Sequence, residues 1–160
     1  MSILYKSSRI GKNGKRFLML KFKTLKDGSD GSMFADGNTY TKYGRFLRKY
    51  KIDELPQLWN VIKGDLAIVG PRAEETRTSG IIPEKARNVI LKVKPGLTSP
   101  ASIHFIDEEK IMQEAKEPGL LYWTTVKPMK ILLDIWYVEH KSFLLDIAII
   151  WGTIKSIIKR

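Results

Sequence analysis

A chain of 160 residues, 43% hydrophobic and 28% charged, is long enough for one domain with a real core and short for two. Lys and Arg outnumber Asp and Glu 28 to 17, a net charge of +11, which calls for an anionic partner: nucleic acid, an anionic membrane surface or a phosphorylated substrate. The absence of cysteine excludes disulfides, zinc-thiolate sites and a cysteine nucleophile, and no apolar run reaches the roughly 18–20 residues of a membrane-spanning helix.

Residues 3–25 read as extended chain around a turn at Gly11-Lys12-Asn13-Gly14. The strand expected over 17–25 puts Phe17, Met19, Lys21 and Lys23 on one face by period two. Two lysines at i and i+2 can grip one oxyanion, or simply make a basic edge strand. Residues 26–38 are rich in Gly, Asp and Ser and read as a loop. A helix is expected over 41–50 with Thr41 as N-cap, an apolar stripe of Tyr43, Leu47 and Tyr50, and Arg45 beside Arg48 and Lys49.

Asp53-Glu54 follows that basic stretch directly. Pro56 suits a first helical turn, and Leu58, Trp59, Ile62 and Val61 are the expected apolar face before Gly64. Adjacent residues of a helix start point in different directions, so the two carboxylates should have different tasks. An acidic helix start is the plain reading of the pair. Carboxylates beside so much positive charge also suit work on a phosphate ester.

A short buried strand is expected at Leu66-Ala67-Ile68-Val69, and Gly70-Pro71-Arg72 after it presents one guanidinium stiffly, in a form that can fork onto phosphate oxygens. Residues 83–93 read as an amphipathic helix, 94–100 as a rigid turn with two prolines, and 107–117 as an acidic, solvent-facing helix. Two helices close the chain, over 128–141 (apolar face Ile131, Leu132, Ile135 and Val138) and over 143–158. The second is apolar almost all round before its basic end. Such a helix is either core, the placement expected here, or lies on a membrane surface. Neither His104 nor His140 is assigned chemistry.

The segments, in order, resemble the bacterial sugar transferases, the small monotopic phosphoglycosyl transferases. The resemblance rests on Arg9-Ile10-Gly11-Lys12-Asn13-Gly14-Lys15-Arg16-Phe17, Thr41-Lys42-Tyr43-Gly44-Arg45-Phe46-Leu47-Arg48 and Asp53-Glu54-Leu55-Pro56-Gln57-Leu58. It continues through Asn60-Val61-Ile62-Lys63-Gly64-Asp65, Gly70-Pro71-Arg72 and Pro95-Gly96-Leu97-Thr98, with Asp134, Tyr137, Ser142, Asp146 and Thr153 at family spacing. Three positions depart from the pattern: Lys23 and Ala73 stand where Arg and Pro are usual, and Asp36-Gly37-Asn38-Thr39 lacks an expected Arg.

The resemblance implies an α+β fold, mostly helical with a small N-terminal β-hairpin, and one sugar transferase catalytic domain over 1–160 lacking the family's N-terminal membrane segment. It implies transfer of a sugar-1-phosphate from a UDP-sugar to polyprenyl phosphate, with release of UMP, to begin a lipid-linked glycan of capsule, exopolysaccharide, lipopolysaccharide or glycoprotein. Asp53 is then the nucleophile, Glu54 its assistant, and both are carboxylates for Mg²⁺. Lys21, Lys23, Arg45, Arg48, Pro71 and Arg72 are the implied diphosphate and nucleotide contacts. The implied partners are the anionic inner-membrane surface on its cytoplasmic side, with a soluble fraction, and downstream glycosyltransferases. No nucleic-acid motif is present, and nucleic acid is not an expected partner. An alternative is a truncated remnant that keeps the fold and binds a membrane surface or a protein without turnover.

Overall fold

Period-two alternation builds the first layer. The structure, a computed structural model, describes residues 3–26, 39–76 and 78–159. Strands β1 (Leu4–Ile10) and β2 (Arg16–Phe22) pair antiparallel with Arg9 opposite Phe17. The reversal uses left-handed backbone at Asn13 (φ 57°) and Gly14 (φ 78°), residue types that tolerate it. Phe17 and Met19 turn inward onto Leu66 and Ala73, with Val61 against them. The regular strand stops at Phe22, short of the predicted 25, and Leu25 makes only an isolated bridge to Tyr40. The loop read at 26–38 lies outside the described residues beyond Lys26.

Helix α1 (Lys42–Lys49) starts where Thr41 predicts: its hydroxyl accepts the Gly44 N–H at 2.8 Å. Gly44 is sterically required, because a Cβ there would lie 2.1 Å from the Thr24 carbonyl oxygen. The predicted stripe on this helix is not core, since Tyr43 is 84% exposed. The chain then tightens through left-handed Lys51 into a 3₁₀ turn, Ile52–Glu54, and enters α2 (Gln57–Ile62).

The α2 expectation is inverted. Trp59 is 57% and Ile62 75% exposed, while the polar Gln57 and Asn60 are buried. The cause is β2: Asn60 Oδ1 accepts the Leu20 N–H at 3.1 Å and its amide donates to the Leu18 carbonyl at 2.8 Å. One amide side chain thereby ties helix to strand, and the apolar residues of α2 face outward.

Strand β3 (Ala67–Val69) pairs in parallel with β5 (Gly96–Thr98), so the predicted proline turn at 94–100 in fact contains a strand. Gly70 and Gly96 let the two backbones nearly touch. A Cβ on Gly96 would sit 2.1 Å from Gly70 N, and one on Gly70 would sit 2.5 Å from the Lys94 carbonyl oxygen. Strand β4 (Glu74–Glu75) extends the first sheet, whose order is β2-β1-β4. Arg72 is therefore suspended between the two sheets.

The remaining helices are α3 (Glu84–Ile90), α4 (Pro100–His104), α5 (Glu108–Glu114), α6 (Pro118–Leu121), α7 (Lys127–His140) and α8 (Phe143–Ile158), with a π-helical turn, Tyr122–Val126, before α7. Phe105, Met112, Tyr122 and Val126 form one apolar cluster; Val69, Tyr137 and Ile149 form another. The Tyr137 hydroxyl donates to Asp146 Oδ1 at 2.6 Å and lies 3.2 Å from the Val69 carbonyl oxygen, locking α7, α8 and β3 together.

Two further expectations are corrected. On α7 the buried positions are Lys127, Lys130, Asp134 and Tyr137, and the predicted apolar Leu132 is outside. On α8 only Ile149 is fully buried; Phe143, Leu144, Ile147, Trp151, Ile154 and Ile158 form an exposed stripe, so the core reading of this helix fails. No described helix is long and apolar enough to cross a membrane. The α+β class, mostly helical with a small antiparallel sheet, is as expected.

Candidate active site

The inward polar faces meet in a cleft of about 930 Å³. Its walls come from β2, the turn holding Asp53 and Glu54, the segment after β3, and helices α4, α5, α7 and α8. Asp53 lines it, is 5% exposed, and leaves Oδ1 with no hydrogen-bond partner among the described residues. A buried, unpartnered carboxylate oxygen is costly and needs a reason. Glu54 differs: its Oε1 accepts from Lys21 Nζ at 2.9 Å. One carboxylate is left with an open valence and its neighbour is tied down.

Electrostatics separates the pair further. Burial pushes Asp53 above the usual carboxylate range and Glu54 pushes the same way, against Lys21, Lys51 and Arg48. Burial alone would also raise Glu54, but Lys21, Lys51 and Arg72 prevail and hold it well below its ordinary value. Lys21 in turn is lowered by burial, with Glu54 opposing. Asp53 is thus the more basic oxygen and Glu54 the fixed anion, as two carboxylates in unlike surroundings become.

The other expected contacts are placed unequally. Lys21, Lys23, Arg48 and Arg72 line the cleft. Arg48 is engaged by Glu109 Oε1 at 3.0 Å and the Thr24 hydroxyl at 3.1 Å, and it stacks over the Tyr40 ring. Arg45 is exposed on α1 and is not among the cleft residues. Pro71 is fully buried behind Arg72, and its carbonyl accepts the Gly96 N–H at 2.9 Å; its part is to fix the backbone that carries Arg72. Glu108 and Glu109, on a helix read as solvent-facing, point into the cleft as partners of Lys130 and Arg48.

Several cleft residues were not singled out as site residues from the sequence. Lys51 lines the cleft from its left-handed position. Lys127 pairs with Glu74 at 2.5 Å, Lys130 with Glu108 at 2.6 Å and Arg9 with Glu75 at 2.8 Å. Asp134 lies among them, 3% exposed, with one unpartnered oxygen. Burial and Glu74 raise it to about 7, against a hydrogen bond from the Arg72 backbone and the charge of Lys127. The spacing 127, 130, 134, 137 is a helix face, so a polar stripe on α7 was the signal to follow.

No group of three or more His, Asp or Glu side chains that could hold a metal occurs among the described residues. The residues present do fit a hard cation of the Mg²⁺ kind, which takes one or two carboxylates and completes its shell with water and substrate phosphate oxygens. Asp53 Oδ1 is such an oxygen, and Glu54 adds a second carboxylate beside it.

The model of a family described as bacterial sugar transferase matches residues 1–160. The chain is 38% identical over 159 residues to an uncharacterized sugar transferase, EpsL, of Bacillus subtilis, covering 98% of this chain and 70% of that protein. It is 35% identical over 166 residues to the UDP-glucose:undecaprenyl-phosphate glucose-1-phosphate transferase of Caulobacter vibrioides, covering 97% of this chain and 56% of that one. The UDP-N-acetylgalactosamine-undecaprenyl-phosphate N-acetylgalactosaminephosphotransferase of Aeromonas hydrophila is 29% identical over 162 residues, 98% of this chain but 35% of its own length.

Proposed function

Since the chain belongs to the bacterial sugar transferase family, we propose that it moves a sugar-1-phosphate from a UDP-sugar to polyprenyl phosphate, with Asp53 as nucleophile. The observation that carries this reading is the buried Asp53 carboxylate with an unpartnered oxygen in a cleft lined by Lys21, Arg48, Lys51 and Arg72. The relatives' names supply the substrate classes, a UDP-sugar and undecaprenyl phosphate.

An Asp53 oxygen attacks the sugar-bearing phosphorus of the donor. The bond from that phosphorus to the bridging oxygen breaks, and UMP leaves with the electron pair. The sugar-phosphate is then held on Asp53 as an acyl phosphate. A phosphate oxygen of the polyprenyl acceptor attacks the same phosphorus, Asp53 leaves, and the product is a polyprenyl diphosphate sugar. Burial that makes Asp53 more basic also makes it a better nucleophile. An anion attacking an anion needs positive charge already in place, which Lys21, Arg48 and Arg72 provide. Glu54 holds Lys21 in position. Mg²⁺ on Asp53 and Glu54 would neutralise diphosphate charge during the reaction.

The exposed apolar residues of α2 and α8, with Lys155 and Lys159 at the end of α8, suit the surface of an anionic membrane where such an acceptor resides. The test is UMP release from a panel of UDP-sugars with Mg²⁺ and polyprenyl phosphate in vesicles. Asp53→Asn is expected to abolish it and to abolish labelling of the protein by donor radiolabelled in the sugar. Near-normal release by that variant overturns the nucleophile assignment, and no release from the unaltered chain under any lipid condition favours a binding role without turnover.

A further inference from the structure

The cleft has a second character that the transfer chemistry leaves unused. Beyond its charged wall it continues along α8, where Ile150, Ile154 and Ile157 line it at i, i+4 and i+7. Leu55, Ile68 and Leu97 line the same cleft. The α8 face spans roughly 10 Å of helix at 1.5 Å per residue. Ile154 is also part of the exposed stripe that runs through Trp151 to Ile158, and Leu55 and Ile68 are themselves exposed. The apolar wall therefore passes from the outer surface to the cavity of Asp53 without a break of character.

A cavity that serves only a sugar nucleotide has no use for such a wall. A ligand with an anionic head and a branched apolar tail matches both halves, its head among Lys21, Arg48 and Arg72 and its tail on isoleucines. We propose that the Ile150, Ile154 and Ile157 face of α8 is the lane for the first isoprene units of the polyprenyl acceptor, delivering its phosphate to Asp53 from the membrane side. This assignment rests on the transferase reading above. α8 thus takes two parts: its outer stripe meets bulk lipid, and its inner face selects an acceptor with a prenyl tail.

Two measurements on the full chain in phosphatidylglycerol nanodiscs test it. In the first, Ile154→Asn and Ile157→Asn are expected to raise KM for undecaprenyl phosphate about tenfold or more while shifting KM for the UDP-sugar less than twofold, and Ile154→Leu restores the acceptor KM. An unchanged acceptor KM, or equal shifts for both substrates, overturns the lane. In the second, a benzophenone side chain at position 154 is photolysed with radiolabelled undecaprenyl phosphate. An adduct competed by unlabelled undecaprenyl phosphate, and absent with the probe at position 144, supports the lane. Adducts with bulk phospholipid that resist competition show a membrane-facing surface only and overturn it. Crosslinking requires no turnover, so it decides the lane even if the chain releases no UMP, an outcome that counts against the transferase reading instead.

Discussion

Replacing Asp134 by Asn should stabilise the protein, and the gain should grow with pH. The carboxyl is 3% exposed, one oxygen has no partner, and burial moves its pKa from 3.8 to about 7. At 1.36 kcal/mol per pH unit, that displacement costs the folded state about 4 kcal/mol once the group is fully ionised. The folded state holds the proton more tightly than the unfolded chain. The penalty is therefore absent below pH 3.8, accumulates between 3.8 and about 7, and is complete above. Asn keeps an oxygen to accept the Arg72 backbone hydrogen bond and removes the charge. Urea unfolding of both proteins at several pH values cancels every other titrating group. The expected advantage of the variant is about 1.5 kcal/mol near pH 5 and about 4 kcal/mol near pH 8. A gap that stays flat with pH, or a variant less stable than its parent at pH 8, refutes the argument. A cost of this size kept in a cleft is what a site retained for function rather than stability looks like.

Lys21→Met leaves Glu54 buried without its nearest cation and should cost about 3 kcal/mol at neutral pH. Because the pairing holds Glu54 below its ordinary 4.5, that loss should shrink on acidification below this value, which denaturation at neutral and acid pH would show. Gly96→Ala forces a Cβ to 2.1 Å from Gly70 N, where only backbone can yield, and should destabilise by about 1–3 kcal/mol while lowering UMP release through a displaced Arg72. Paired Trp59→Ser and Trp151→Ser, at exposed positions, should alter stability by no more than about 0.5 kcal/mol yet weaken sedimentation with anionic vesicles. Unaltered sedimentation would remove these faces from the membrane contact.

Much of this molecule is local chemistry and was legible as such. Alternation and turn residues determined the hairpin, Thr41 determined the start of α1, and glycine and proline punctuation separated the helices. The adjacency of basic residues to Asp53-Glu54 marked the site, and the order of short motifs marked the family before any fold was in view. What local pattern could not supply was orientation. Amphipathicity assigns apolar residues inward only when the interior is apolar, and here part of the interior is a charged cleft with its mouth beside an exposed apolar surface.

Three particulars show where tertiary structure decided. Asn60 turned α2 over by satisfying the backbone of β2, sending Trp59 and Ile62 outward. Lys127, Lys130 and Asp134 faced inward because Glu74 and Glu108, distant in sequence, were there to meet the two lysines. Gly70 and Gly96 became the closest backbone approach in the site, which sets where Arg72 stands, only when β3 and β5 paired. The sequence by itself determined which elements form and which residues carry charge, since those depend on neighbours within a few positions. The tertiary structure alone decided that Asp53 keeps an open oxygen while Glu54 is paired, because burial and a partner 33 residues away are properties of the packed chain.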